Sequence, residues 1–119
     1  TIHESVAIGV PPEIMGIGPV DAIKALLEKT NMSLNDIDLV EINEAFSAQV
    51  VAVSKALELD QDKLNIWGGS VAIGHPLGAS GVRITNTLSR QLQKTGKKVG
   101  ISSACIGGGQ GIAMLIRSV

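Results

Sequence analysis

Residues 68–81 of the chain read Gly-Gly-Ser-Val-Ala-Ile-Gly-His-Pro-Leu-Gly-Ala-Ser-Gly. Glycines at this density suit a backbone that turns sharply and approaches a ligand closely, rather than a packed core. Pro76 biases the preceding His75 towards extended backbone and away from helix. Read alone, the stretch fits a ligand-binding loop and an ordinary connection with an incidental histidine equally well, so the flanking sequence has to decide.

Strands and helices alternate on either side of this stretch. Apolar spacing predicts strands at 2–10, 38–42, 99–104 and 112–116, and helices at about 20–29, 45–57 and 81–95. This order predicts an α/β fold with a mostly parallel sheet and helices on its faces. The glycine-rich turn at 105–111 predicts that the last two strands form an antiparallel hairpin.

The helix after the glycine-rich stretch has one apolar side, formed by residues such as Ile84 and Leu88. Its remaining polar residues are therefore expected to face solvent. That expectation covers Arg83, Arg90 and Gln93.

Composition limits the function classes. The chain has 119 residues, 45% of them hydrophobic and 18% charged, which predicts one globular domain. A net charge of −1 and only 2% aromatic residues argue against a nucleic-acid partner. No apolar run approaches the roughly 20 residues that span a bilayer, so no membrane association is expected.

The numbers of cysteine and histidine residues limit the possible disulfides and metal sites. One cysteine and two histidines without ligand spacing predict neither an internal disulfide nor a metal site, and no cofactor is expected. A reducing, cytoplasmic setting follows as an expectation. Because Thr1 rather than Met begins the chain, we also expect it to be a piece of a longer protein.

Polar residues lie just beyond the carboxyl ends of the predicted strands, which is where ligand sites form in such sheets. Asn43 follows the second strand, His75 lies in the central loop, and Cys105 stands beside three glycines. A phosphate-binding loop is excluded, since His75 and Pro76 replace the required Lys and Ser/Thr. Cysteine-protease chemistry is disfavoured, since Cys105 opens a glycine turn rather than a helix. Asn43 could also simply cap the following helix.

Three motifs together resemble the C-terminal domain of the thiolases: Asn43-Glu44-Ala45-Phe46, Gly74-His75-Pro76 and Cys105-Ile106-Gly107. The resemblance covers essentially the whole chain, 1–119. It implies a thiolase-fold domain with a mixed five-stranded sheet and helices on both faces. It also implies that the nucleophilic cysteine belongs to an N-terminal domain that this sequence does not contain.

The resemblance implies a reversible Claisen condensation between acyl-CoA molecules, which forms acetoacetyl-CoA or cleaves 3-ketoacyl-CoA. His75 would activate the nucleophilic thiol, and Cys105 would move the α-proton. Asn43 would hold a water that forms one oxyanion hole with His75, and the Gly107 N–H would serve the other. Phe46 would line the acyl pocket, although a place in the helix core is equally consistent.

The implied partners are an acyl-CoA substrate, the thiolase N-terminal domain and further copies of the chain in a homo-oligomer. The chain alone is expected to be inactive. Related ketoacyl synthases carry His or Asn at the position of Cys105, so this cysteine favours the thiolase reading. The alternative is a non-catalytic folding or assembly fragment of such an enzyme.

Overall fold

The computed structural model describes all residues from Thr1 to Val119. Four strands and four helices follow one another along the chain. In order they are β1 (Ile2–Gly9), α1 (Gly18–Thr30), β2 (Leu39–Ile42), α2 (Ser47–Leu57), α3 (Ser70–Ile73), α4 (Ser80–Thr95), β3 (Val99–Ile106) and β4 (Gln110–Arg117). Segments of 3₁₀ helix lie at Pro12–Ile17, which is kinked at Ile14, and at Leu34–Asp36 and Gln61–Lys63.

The four strands form one mixed sheet in the order β1-β4-β3-β2. The β3–β4 hairpin is antiparallel, as predicted, and β1 pairs antiparallel with β4 on its outer side. Only β2 and β3 are parallel. The mostly parallel sheet predicted from the alternation is therefore wrong, because the hairpin reverses the chain and β1 then joins its second strand.

The sheet has four strands rather than the expected five. A fifth position is marked only by a single parallel bridge between Val40 and Leu64. Beyond it the backbone turns away at Asn65, whose φ is 47°. Its side-chain amide then accepts from the Ile42 N–H at 2.8 Å and donates to the Ile42 carbonyl at 3.0 Å. A side chain thus satisfies the edge of β2 that a fifth strand would have covered.

Helices cover both faces of the sheet, as the resemblance implied. On one face α1 and α2 enclose a cluster of 14 buried apolar residues, which includes Ile23, Leu26 and Ile101. On the other face α4 packs a smaller cluster of Leu39, Leu88, Leu92 and Ile116. The alternation of side chains along β2 divides its residues between the two clusters.

Most element boundaries lie within two residues of those predicted, and three differences bear on function. Phe46, in extended backbone, precedes the first turn of α2, so Asn43 is not its cap. Cys105 lies within β3, paired opposite Gly111, rather than opening the turn. The central stretch contains the one-turn helix α3 before its loop continues.

No helix is both long and apolar enough to cross a membrane.

Candidate active site

An open cavity of about 580 Å³ lies beyond the carboxyl ends of β2 and β3. Because these strands are parallel, the residues that follow them reach the same edge of the sheet. The cavity is lined by every residue to which the sequence assigned a role: Asn43, Phe46, His75, Cys105 and Gly107.

Asn43 is held at the floor of the cavity by β3. Its N–H donates to the Ser103 carbonyl at 2.9 Å, which extends the β2–β3 ladder by one residue. Its side chain is fully buried. The amide oxygen accepts from Ser70 Oγ at 2.9 Å, while Nδ2 lies 3.4 Å from His75 Nδ1 and 3.3 Å from Nε2. Asn43 and His75 are therefore direct neighbours despite 32 residues of separation.

His75 is oriented by the start of α4. Its Nδ1 lies 2.6 Å from the hydroxyl of Ser80, a buried residue of the first turn. That hydroxyl also lies 3.1 Å from the Pro76 carbonyl, and with its proton directed there its oxygen accepts from Nδ1–H. In that tautomer Nε2 keeps a lone pair, the arrangement that a general base requires.

The loop that carries His75 is anchored by Glu44. Its carboxylate accepts from the Val71 N–H at 2.8 Å and from Asn65 Nδ2 at 3.1 Å. A Cβ on Gly69 would lie 2.7 Å from this carboxylate, so a side chain at that position would displace Glu44 from these contacts. Glu44 is therefore an anchor of this loop and not a solvated acid.

Cys105 is buried near the end of β3. Burial raises the pKa of its thiol. The thiol is thus protonated at neutral pH in this chain, a form that can give a proton to a carbanion. Base chemistry would require additional groups that stabilise the thiolate.

The start of β4, just after the turn that follows Cys105, is packed closely on the first residue of α1. A Cβ on Gly18 would lie 2.6 Å from the Gln110 carbonyl oxygen, and one on Gly111 would collide with the Gly18 carbonyl. This close backbone contact fixes the β3–β4 hairpin against the start of α1. Gly107 of the turn and Met15, which precedes α1, both line the cavity.

Phe46 is 70% exposed and lines the cavity, which excludes the helix-core alternative. Leu77, 84% exposed, lies on the same rim. Gly107 is exposed in the β3–β4 turn. The cavity therefore has polar groups on its floor and an apolar, open rim.

Arg83 does not face solvent, contrary to the prediction from helix periodicity. Its Nη2 donates to Ser70 Oγ at 2.7 Å and to Asn43 Oδ1 at 3.3 Å. Its Nη1 lies 3.8 Å from the buried carboxylate of Glu41. The prediction failed because α4 packs over a charge on β2, and the one signal available was an acidic residue inside the otherwise apolar strand 39–42.

The Glu41 carboxyl also accepts from Gln91 Nε2 at 2.7 Å. Burial raises its pKa to about 7, although Gln91 and Arg83 both favour the ionised form. Neither Glu41 nor Gln91 lines the cavity. No group of three or more His, Cys, Asp or Glu side chains is arranged to hold a metal ion.

The sequence of this chain was compared with those of known proteins, and the matches identify its family. The sequence model described as "Thiolase, C-terminal domain" matches residues 1–118. The human mitochondrial 3-ketoacyl-CoA thiolase is 56% identical over 110 residues, which are 92% of this chain and 28% of that protein. The acetyl-CoA acetyltransferase of Escherichia coli K12 is 54% identical over 91% of this chain and 27% of its own length.

Solved structures agree. A crystal structure of human mitochondrial 3-ketoacyl-CoA thiolase in complex with CoA superposes with a TM-score of 0.97 at 53% identity. The acetyl-CoA acetyltransferase of Bacillus anthracis gives 0.98 at 50% identity. Each match covers 99% of this chain and 30% of the other. The chain thus spans less than a third of these relatives, and by sequence and fold it belongs to the thiolase family of acyltransferases, as their C-terminal domain.

Proposed function

We propose that this chain is the C-terminal catalytic part of a thiolase that transfers acyl groups between CoA thioesters by reversible Claisen condensation. The observation that carries the proposal is the meeting of Asn43, His75, Cys105 and Gly107 around one cavity. These residues come from three separate segments of the chain: the end of β2, the loop between α3 and α4, and the end of β3 with its turn.

In the cleavage direction, a thiolate from outside this chain adds to the 3-keto carbon of a 3-ketoacyl-CoA. Nε2 of His75 accepts the proton of that thiol, since Ser80 occupies Nδ1. The carbon–carbon bond then breaks, and its electron pair becomes the enolate of acetyl-CoA. Cys105 gives its proton to that enolate, which suits a thiol whose pKa is raised by burial. The CoA thiol then gives its proton to the Cys105 thiolate and takes the remaining acyl group, and the released thiolate recovers the proton held on His75.

Charge on the thioester oxygens needs fixed donors. A water on Asn43 Nδ2, together with His75, would serve one oxyanion, and the Gly107 N–H would serve the other. Losing one such donor costs on the order of 100-fold or more in turnover in other enzymes. Phe46 at the rim would contact the acyl chain.

Exposed apolar side chains at and near the cavity indicate a partner of the proposed enzyme. Phe46 and Leu77 line the cavity and are 70% and 84% exposed, and Val71 and Ile73 of α3 are exposed as well. Exposed apolar side chains beside a site are typical of a surface that another domain covers. We assign that surface to the N-terminal domain that supplies the nucleophilic cysteine, and we expect the assembled enzyme to be a homo-oligomer. A cytoplasmic location stays a prediction, because the name of the human relative places that protein in mitochondria.

The test is cleavage of acetoacetyl-CoA in the presence of CoA. We expect no turnover from the 119-residue chain and restored turnover after addition of an N-terminal half. Cys105→Ser should lower that turnover by about 100-fold or more, the usual contribution of general acid–base catalysis. Arg90→Gln, on the exposed side of α4, is the matched control and should leave it unchanged.

Sustained turnover by the chain alone would contradict the division of the active site between two domains. Equal turnover of the assembled enzyme with and without the Cys105 thiol would favour the alternative, a non-catalytic folding or assembly fragment.

A further inference from the structure

One buried polar cluster beneath the cavity floor has no role in the proposed reaction so far, and Arg83 lies at its centre. Arg83 reaches Asn43, Ser70 and Glu41 at the same time. We propose that Arg83 is a positioning residue for the reaction: it holds the Asn43 amide with its oxygen turned away from His75 and its N–H donors turned towards it. This inference rests on the proposed function for its consequence in catalysis.

The first step of the argument is the orientation of the amide. Asn43 Oδ1 accepts from two donors, Ser70 Oγ at 2.9 Å and Arg83 Nη2 at 3.3 Å. Arg83 Nη2 also donates to Ser70 Oγ at 2.7 Å, so the three groups close a triangle. A rotated amide would direct its own N–H groups at a guanidinium cation. The triangle therefore admits one orientation, and it is the one that leaves Nδ2 beside His75.

The second step is what holds Arg83 itself. Its Nη1 lies 3.8 Å from Glu41 Oε2, and the Glu41 side chain is fully buried. The guanidinium is planar, so Nη1 on Glu41 fixes the direction in which Nη2 points. A lysine ammonium would carry the same charge, but it does not have two separate nitrogens that could contact Glu41 and Asn43 at the same time.

The third step is the mechanical role of the contact. Glu41 and Asn43 belong to the end of β2, Ser70 begins α3, and Arg83 lies in the first turn of α4. The loop that carries His75 runs between the last two elements. One side chain thus ties together the three elements that set the distance between Asn43 and His75.

Two measurements on the chain assembled with the N-terminal half test the proposal. The first is the side-chain amide signal of Asn43 in ¹⁵N-asparagine-labelled protein, identified by its loss in Asn43→Asp. The second is the kcat and KM for acetoacetyl-CoA cleavage. The variants are Arg83→Gln and Arg83→Lys, with Arg90→Gln as the matched control.

Both Arg83 variants should move or broaden the Asn43 signal, and Arg90→Gln should not. Both should lower kcat by about 10-fold or more with KM within about 3-fold, since a misdirected donor loses mainly transition-state stabilisation. Arg83→Lys keeps the charge, so it remains decisive if Arg83→Gln fails to fold. Because a smaller folded fraction would also lower the apparent kcat at unchanged KM, kcat is calculated per folded protein, and the Asn43 signal reports the orientation of the amide independently of that fraction.

An Asn43 signal that is unmoved in the folded Arg83 variants would overturn the proposal, whatever the turnover. A moved signal with unchanged kcat would overturn the role in the reaction. If the wild-type protein cleaves no acetoacetyl-CoA, the proposed function fails, and a moved signal would still establish that Arg83 orients the amide.

Discussion

The two faces of the sheet are built on different principles. Under α1 and α2 lies a continuous cluster of 14 buried apolar residues. Under α4 the apolar cluster has 4 members, and beside it lie the buried polar side chains of Glu41, Gln91 and Ser102. Apolar burial on the first face stabilises the fold, whereas the second face gives up part of that stabilisation to hold charges beneath the cavity.

Buried side-chain atoms without a hydrogen-bond partner occur under both sets of helices: both amide atoms of Gln49 on α2, and two atoms on the α4 face. Oε2 of Glu41 and Oε1 of Gln91 are buried without a hydrogen-bond partner. Such atoms typically cost about 1–3 kcal/mol each, so they persist where the surrounding polar group has another use. The use that the geometry supports is the orientation of Arg83.

The largest expected effect tests the apolar face. Leu26→Ala should lower the free energy of unfolding by about 2–5 kcal/mol, because Leu26 is fully buried and the cavity left behind has no partner atoms. Urea denaturation measures the change. Leu88→Ala is the matched variant on the α4 face, where Leu88 is equally buried. A loss below about 1 kcal/mol at Leu26 would show that the 14-residue cluster is not the main source of stability.

The next effect is the pH dependence of the polar face. The pKa of Glu41 is about 7 in the folded chain against an ordinary value of 4.5. The folded state therefore binds the Glu41 proton more tightly than the unfolded state does. The resulting addition to the free energy of unfolding is complete below pH 4.5 and is lost as the pH rises through 7. The difference corresponds to about 3 kcal/mol of unfolding free energy.

Glu41→Gln should remove this part of the pH dependence, because an amide does not titrate. Urea denaturation at about pH 5 and pH 8 compares the two proteins, and the variant should change less between them. The same change in both proteins would show that Glu41 does not titrate in this range.

The smallest effect concerns a contact between two hydroxyls on the α4 face. Thr85 Oγ1 lies 3.3 Å from Ser102 Oγ. Thr85→Val should cost about 1 kcal/mol, the net value of a typical hydrogen bond. A double-mutant cycle with Ser102→Ala should give a coupling of similar size. Strictly additive changes would mean that this contact adds nothing to the polar face.

Sequence patterns were reliable for the apolar part of the molecule. The helix stripe at Ile84, Leu88 and Leu92 was read correctly, and all three residues are buried. The same pattern misplaced Arg83, because periodicity reports which side of a helix is apolar and not which polar residue meets a buried charge. The alternation of strands and helices likewise did not reveal that β1 would join the hairpin in an antiparallel pair.

By itself, the sequence determined the α/β class, the strands and long helices, and the three motifs that identify a thiolase C-terminal domain, because these depend on local backbone preferences and short spacings. Tertiary structure alone decided that Asn65 would close the edge of β2, that Cys105 would be buried within β3, and that Arg83 would turn inward. Each of these depends on a partner at least 13 residues away in sequence or on burial by another element, and neither is written in local periodicity.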